Sequence, residues 1–303
     1  MKVIYIFIFC SLFSYNFSQE ILKHSYNCPT RILDIETVDT IMYALTDMGL
    51  SVCLEKSNKI EVLQKNVLLS PRNSGFMKIN NSKLLVKYGD SLFYFNIGNP
   101  SVPVLVQKWT SPVNLQEIFN FSESFVFRFG ESEYKIVNVT PDSIKYVFTI
   151  PLNYSPLAFS YPYIITYSGT NIEFYKLSQS GQFFNSNNLS TAPRYLTSIK
   201  ANKDYLAYID YYNSGTPHLP SFATYNVIDI KNPLFPIIRS LSLGSDNLPL
   251  LSIRLSDISK KYFSSDTYNA SVIVDMSGNF LFNNNKYNTH ITDSKYYAFA
   301  DTL

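Results

Sequence analysis

The chain has 303 residues, a formal net charge of +2, and 16% aromatic against 16% charged residues. So small a net charge gives no basis for a nucleic-acid or membrane-surface partner, and the abundance of Tyr, Phe, Ile and Val excludes a disordered chain. This is the composition of a globular β-protein.

The opening segment "MKVIYIFIFCSLFSYNFSQE" has one Lys, an apolar run from Val3 to Cys10 extended by Leu12 and Phe13, and then small and polar residues. That pattern predicts a secretory signal peptide over residues 1–18, cleaved after Ser18. Its apolar core of about a dozen residues is shorter than the roughly 20 that a membrane-spanning helix needs. No later segment is long and apolar enough to span, so residues 19–303 are expected to form one soluble domain, secreted or held at the cell surface, with no membrane span after cleavage.

Cys10 leaves with the signal, so Cys28 and Cys53 remain. In an oxidising compartment they can form one disulfide, contributing about 3 kcal/mol, or stand as two separate buried thiols. Six Asn-x-Ser/Thr triplets follow the signal, and Asn80, Asn120, Asn138, Asn188 and Asn269 are candidate N-glycosylation sites. The sixth, Asn153, is the weakest acceptor because Pro156 follows Ser155.

Two phrases repeat nearly position for position. "LFYFNIGNPSVPVLVQKW" (Leu92 to Trp109) matches "YNVIDIKNPLFPIIRSL" (Tyr225 to Leu241): Asn96 answers to Asp229, Asn99-Pro100 to Asn232-Pro233, and Pro103 to Pro236. Weaker copies place Glu55, Asn138, Lys176 and Asp275 at the same point, with spacings of about 40 to 45 residues. The longer gap between Lys176 and Asp229 contains the Gly/Pro/Ser-rich insertion "YYNSGTPHLPS", read as a lengthened loop.

An aromatic-rich strand precedes each of these six copies, and a seventh such strand follows the last. In chain order these are "MYALTD" (from Met42), "LLVKYGD" (from Leu84), "FVFRFG" (from Phe125), "YIITYSG" (from Tyr163), "YLAYID" (from Tyr205), "YFSSDT" (from Tyr262) and "YYAFAD" (from Tyr296). Each unit therefore reads as four short strands: an inner one such as "GFMKI" (from Gly75), the aromatic one, the strand of the repeated phrase, and an outer one such as "VLVQKW" (from Val104). Four antiparallel strands at this period predict an all-β β-propeller, with seven blades as the first expectation and six as the alternative. Glu20 to Tyr26 is expected to close the ring as a strand of the last blade.

The repeated phrases also resemble the LVIVD repeat, a propeller blade whose Leu-Val-Ile-Val-Asp-like strand is followed by Asn-Pro-x-x-Pro. "SVIVDM" (from Ser271) keeps the strand and loses the Asn-Pro. The resemblance implies the propeller fold and an extracellular or surface setting, and transfers no common activity.

No linear catalytic motif is present: there is no Gly-x-Ser-x-Gly, no His-Glu-x-x-His and no phosphate-binding glycine loop. His24, His218 and His290 have no metal-ligand spacing, and no cofactor is expected. Asp47, Asp90, Asp210 and Asp301 close aromatic strands, either as turn residues or as a ring on one face. The insertion, with Tyr211, Tyr212 and His218, is a candidate contact loop. Two functions follow. One is a secreted or surface-associated propeller that binds an extracellular protein or carbohydrate, with no clustered carboxylates at its axis. The other is a secreted hydrolase or lyase with acidic groups at the mouth of the central channel.

Overall fold

A computed structural model describes residues 31–56, 59–65, 72, 74–150, 158–168, 171–178, 182–190, 195–213, 220–232, 234, 237–243, 254–258, 262–266, 270–275, 280–285, 287–291 and 296–300. Every regular element among them is a strand. The first sheet comprises β1 (Ile32–Val38), β2 (Ile41–Thr46), β3 (Gly49–Lys56) and β4 (Lys59–Gln64). The second comprises β5 (Gly75–Asn80), β6 (Lys83–Tyr88), β7 (Ser91–Asn96) and β8 (Val104–Thr110). The third contains β9 (Leu115–Phe121), β10 (Ser124–Phe129), β11 (Glu133–Val139) and β12 (Ile144–Thr149), and the fourth β13 (Ala158–Ser160), β14 (Tyr163–Ser168), β15 (Asn171–Leu177) and β16 (Phe183–Ser190). The fifth contains β17 (Tyr195–Ala201), β18 (Tyr205–Asn213), β19 (Pro220–Asp229) and β20 (Ile237–Leu243). Then come β21 (Arg254–Ile258), β22 (Tyr262–Asp266), β23 (Ala270–Asp275) and β24 (Phe280–Asn285), followed by the pair β25 (Tyr287–Ile291) and β26 (Tyr296–Ala300).

Each set of four is one antiparallel sheet in simple up-and-down order. The first strands of successive sheets abut in sequence, β1 against β5, β5 against β9, and so on to β21 against β25, so the sheets fan out from a common hub. These are the four-stranded blades of a β-propeller.

Complete four-stranded sheets number six among the described residues, with side chains described in the first five. The expected seventh has two strands there, and its expected closing strand, Glu20 to Tyr26, lies outside the described residues. The expectation of seven four-stranded blades is therefore not met by what is described.

Burial follows position in the blade. The second strands are sandwiched between neighbouring sheets, and β2 is buried along all six of its residues. That explains why these strands read as apolar runs rather than alternations. The cores lie between sheets: Tyr43, Leu45, Leu50 and Val52 of the first sheet pack on Met77, Leu84, Val86 and Phe95 of the second. Leu85, Leu92 and Tyr94 then pack on Phe125, Phe127 and Val137 of the third. By contrast, β8 and β12 form outer edges and are largely exposed.

Tight hairpins hold this order. Asp39, Asn81 and Ser122 each take the left-handed first position of the turn between a blade's first two strands, at φ 54°, 53° and 56°. Asn and Asp tolerate that conformation best among residues with a side chain. Gly89 closes the β6–β7 hairpin at φ 58°, where an added Cβ would also lie 2.7 Å from Arg72 Cδ.

The insertion is not a simple loop. Tyr211, Tyr212 and Asn213 continue β18 and pair with Ala223, Phe222 and Pro220 of β19. The segment lengthens a hairpin because its aromatic residues favour the ladder. Tyr211 and Tyr212 are thus strand residues, which corrects their reading as loop residues, and His218 lies outside the described residues.

Candidate functional site

The hub carries the cluster with most chemical character. On β1, Asp34 and Glu36 are two residues apart, which places both on the same strand face. A register shift between Ile32 and Asp34 marks a bulge immediately before the aspartate. Asp34 Oδ1 accepts a hydrogen bond from the Ile35 amide at 2.8 Å, and Oδ2 accepts from the Met77 amide of β5 at 2.7 Å. Lys78 Nζ of β5 pairs with Glu36 Oε1 at 2.6 Å, and the Glu36 side chain is only 12% exposed.

Part of Asp34's surface is open, yet its carboxyl is enclosed. Burial, with a smaller push from the Glu36 charge, raises its pKa to about 7; the two amides and Lys78 oppose the rise. Two neighbouring carboxylates at the hub depart from the expectation that an interaction propeller would have none clustered there. The sequence signal was "LDIET" itself, since acidic residues at alternate positions are uncommon inside strands. Among the described residues, no three His, Cys, Asp or Glu side chains gather as a metal site.

The repeated Asn-Pro phrase is a joint between third and fourth strands. Asn96 Oδ1 accepts from the Gly98 amide at 2.8 Å, and Asp229 Oδ1 accepts from the Lys231 amide at 2.9 Å. A second turn of the same kind follows each, with Asn99 Oδ1 accepting from the Ser101 amide at 3.3 Å and Asn232 Oδ1 from the Leu234 amide at 3.0 Å. The recurrent acid or amide therefore works on its own backbone.

The aspartates that close aromatic strands do not form one ring. Asp47 and Asp90 lie in hairpin turns, whereas Asp210 is inside β18, buried, and accepts from Asn226 Nδ2 at 3.2 Å. Asn226 Oδ1 in turn accepts from Ser240 Oγ at 2.8 Å. Asp301 lies outside the described residues. The apparent equivalence came from aligning strand ends, and the ladder register separates them.

The glycosylation candidates divide clearly. Asn80 is buried, and its amide nitrogen donates to Ser122 O at 2.8 Å and Ser124 O at 2.7 Å. Both N–H groups are occupied, so a glycan would have to break one and enter the blade joint; Asn80 is corrected from acceptor to structural clasp. Asn120 is exposed and uses its amide once, donating to Ile79 O at 2.7 Å. Asn138 and Asn188 are exposed. Asn138 accepts from Ser124 Oγ, and Asn188 Oδ1 from Asn185 Nδ2 at 2.8 Å.

Asn153 and Asn269 lie outside the described residues, as do the signal segment 1–18 and His24; of His290 only the backbone is described. Cys53 is fully buried beside Ile35 and Met42, and its expected partner Cys28 lies outside the described residues. Among the described residues no helix is long and apolar enough to cross a membrane.

The outer strands of the second and third blades expose apolar side chains. Val104 and Leu105 of β8 are 58% and 48% exposed, and Tyr146 and Val147 of β12 are 51% and 57% exposed. Lys135 lies over the Tyr146 ring at 5.3 Å, leaving a cation beside the aromatic face.

These elements define the class of protein as a β-propeller of four-stranded blades. Solved structures agree at the level of fold. Kluyveromyces lactis Hsv2 with its complete loop 6CD is similar at 11% identity over 82% of this chain and 74% of that one, with a TM-score of 0.53. KlHsv2 with loop 6CD replaced by a Gly-Ser linker is similar at 9% identity over 89% of this chain and 98% of that one, with a TM-score of 0.52. A further K. lactis Hsv2 structure gives 12% identity, 81% and 75% coverage, and a TM-score of 0.52. No protein-family model and no curated protein matches the chain.

Proposed function

We propose that this chain is a secreted or surface-associated interaction propeller that binds an extracellular protein or glycan along the outer strands of its second and third blades. The observation that carries the reading is the half-exposed set Val104, Leu105, Tyr146 and Val147 on edge strands of an ordered fold. Edge strands with apolar, uncovered side chains offer both contact area and unpaired backbone groups to a partner. The signal-like segment and the LVIVD resemblance support the extracellular setting.

The test is to express the whole chain in a eukaryotic secretory host. The medium should contain protein beginning at Gln19, and surface cross-linking or glycan-array binding should fall at least tenfold in L105S/Y146S while the melting temperature is kept. Retention in the cell with residues 1–18 intact would overturn the secretory half of the proposal. Undiminished binding by the variant would overturn the surface.

One observation favours the second reading, a hydrolase or lyase. Asp34 keeps a carboxyl near neutral pKa beside Glu36 at the hub, as an acid-base pair requires. Against it stands the engagement of both Asp34 oxygens by backbone amides. Turnover of any extracellular ester or glycoside that is abolished in D34N would establish this alternative.

A further inference from the structure

The hub cluster spans a joint, and its bonds specify what it does there. Asp34 is on the first strand of blade 1, Met77 and Lys78 on the first strand of blade 2, and the two strands abut. One bond to Met77 and one ion pair to Lys78 cross the same seam. Blade 3 shows how else an acid at this point can be used. Glu117 follows a bulge at the same place in the ladder, opposite Arg128 as Asp34 is opposite Leu45. It pairs within its own blade, with Arg128 Nη1 at 3.4 Å. Asp34 has no such cation opposite and reaches across to the next blade.

We propose that Asp34, with the Glu36–Lys78 pair, is a proton-controlled clasp that sets how tightly blade 1 is held to blade 2. Two oxygens that both accept from N–H groups are the bonding pattern of a carboxylate anion. The surroundings work in the opposite direction. The carboxyl is enclosed, and the charged groups facing it are Glu36 from its own strand, which repels the anion, and Lys78 from β5, which attracts it. Lys78 is already held by Glu36 at 2.6 Å, and β2 brings only the uncharged Leu45 into register.

The anion has the better hydrogen bonds and the neutral acid the better solvation balance, which leaves the two forms closely matched around neutral pH. If the seam opens, water solvates the carboxyl and its affinity for a proton drops to the ordinary value. Linkage then requires that proton uptake favour the closed seam. Acidification below neutrality tightens the joint and alkalinity loosens it. The β5–β9 joint is bridged by side-chain amide donors instead: Asn80 to Ser122 O and Ser124 O, Asn120 to Ile79 O and, at the exposed rim, Asn81 to Glu123 Oε2.

Amide hydrogen exchange on the full chain between pH 5.5 and 8.5, corrected for intrinsic rates, tests the clasp. Protection of residues 32–38 and 75–79 should fall about tenfold or more as pH rises through 7, while residues 115–121 stay unchanged. In D34N the dependence should vanish. Should D34N fail to fold, carbon-detected titration of the wild-type Asp34 carboxyl serves instead, with a midpoint near 7 expected. A midpoint near 4, or protection of the β1–β5 seam that does not change with pH, would overturn the proposal, as would an identical pH dependence in D34N.

Discussion

The phenol of Tyr43 in blade 1 donates to the carbonyl of Pro100 in blade 2 at 2.6 Å, across 57 residues of sequence. An aromatic strand of one blade is thereby fastened to the Asn-Pro joint of the next. The same logic runs in reverse one step along, where Tyr88 of blade 2 donates to the Asp47 carbonyl of blade 1 at 2.7 Å. The aromatic residues of the second strands therefore do more than fill volume: two of them tie successive blades through their hydroxyls.

Replacing Tyr43 by Phe keeps the packing and removes one bond at a fully buried position. The Pro100 carbonyl then loses its donor, and the expected cost is about 1 kcal/mol. Urea denaturation should show a lower midpoint with an unchanged slope. Burial pushes the Tyr43 phenol up to about 12, so the bond persists through neutral and mildly alkaline pH and the difference between Y43F and wild type should stay constant from pH 6 to 9.

The two joint residues Asn96 and Asp229 give a second test, of architecture against chemistry. Each accepts one backbone amide two residues ahead, and either an amide or a carboxylate oxygen suffices. N96D and D229N should each leave stability within about 0.5 kcal/mol, while N96A and D229A should cost about 1 kcal/mol. Any binding activity should survive D229N. Its loss with stability intact would show that Asp229 has a role beyond the turn.

The unequal legibility of this chain has physical causes. Strand order within a blade was readable because each position has its own burial: continuous apolar runs such as β2 lie between sheets, and the Asn-Pro joint has its own turn chemistry. What failed were readings that depend on register. Asp47 and Asp210 stand alike at the ends of aromatic strings, yet one occupies a turn and the other lies inside a ladder. Tyr211 and Tyr212 adjoin a Gly/Pro segment but extend a hairpin. The Asp34 cluster was hidden because its partners Met77 and Lys78 come from another blade, 43 and 42 residues beyond their acids.

Asn80 offers a third prediction, since sequence and structure disagree about it. The triplet Asn80-Asn81-Ser82 satisfies the acceptor rule, yet both amide hydrogens are committed to blade 3. Glycopeptide mapping of secreted protein should find Asn80 unmodified even if the exposed Asn120, Asn138 and Asn188 carry glycans. N80A should be destabilising by roughly 1 to 3 kcal/mol, because two carbonyls lose their donor at a buried joint. A glycan found on Asn80 would mean that the joint forms only after modification or not as described.

The pH dependence of stability follows from Asp34 with a sign opposite to that of most acidic residues. Its folded-state pKa is about 7 against an ordinary 3.8, so between those values the folded chain holds a proton that the unfolded chain releases. Stability from this group therefore rises as pH falls from 7 towards 4, and it is lowest above pH 7, where the enclosed carboxyl must carry its charge. Each pKa unit corresponds to about 1.4 kcal/mol, so the partly exposed site contributes a few kcal/mol at most. The neighbours set the direction of further shifts. E36Q removes a repelling charge and should move the midpoint of the dependence down, whereas K78Q removes an attracting one and should move it up. Denaturation midpoints collected from pH 5 to 9 for wild type, E36Q and K78Q give the comparison directly. Shifts in the same direction for both variants would rule out Glu36 and Lys78 as the opposing charges acting on Asp34.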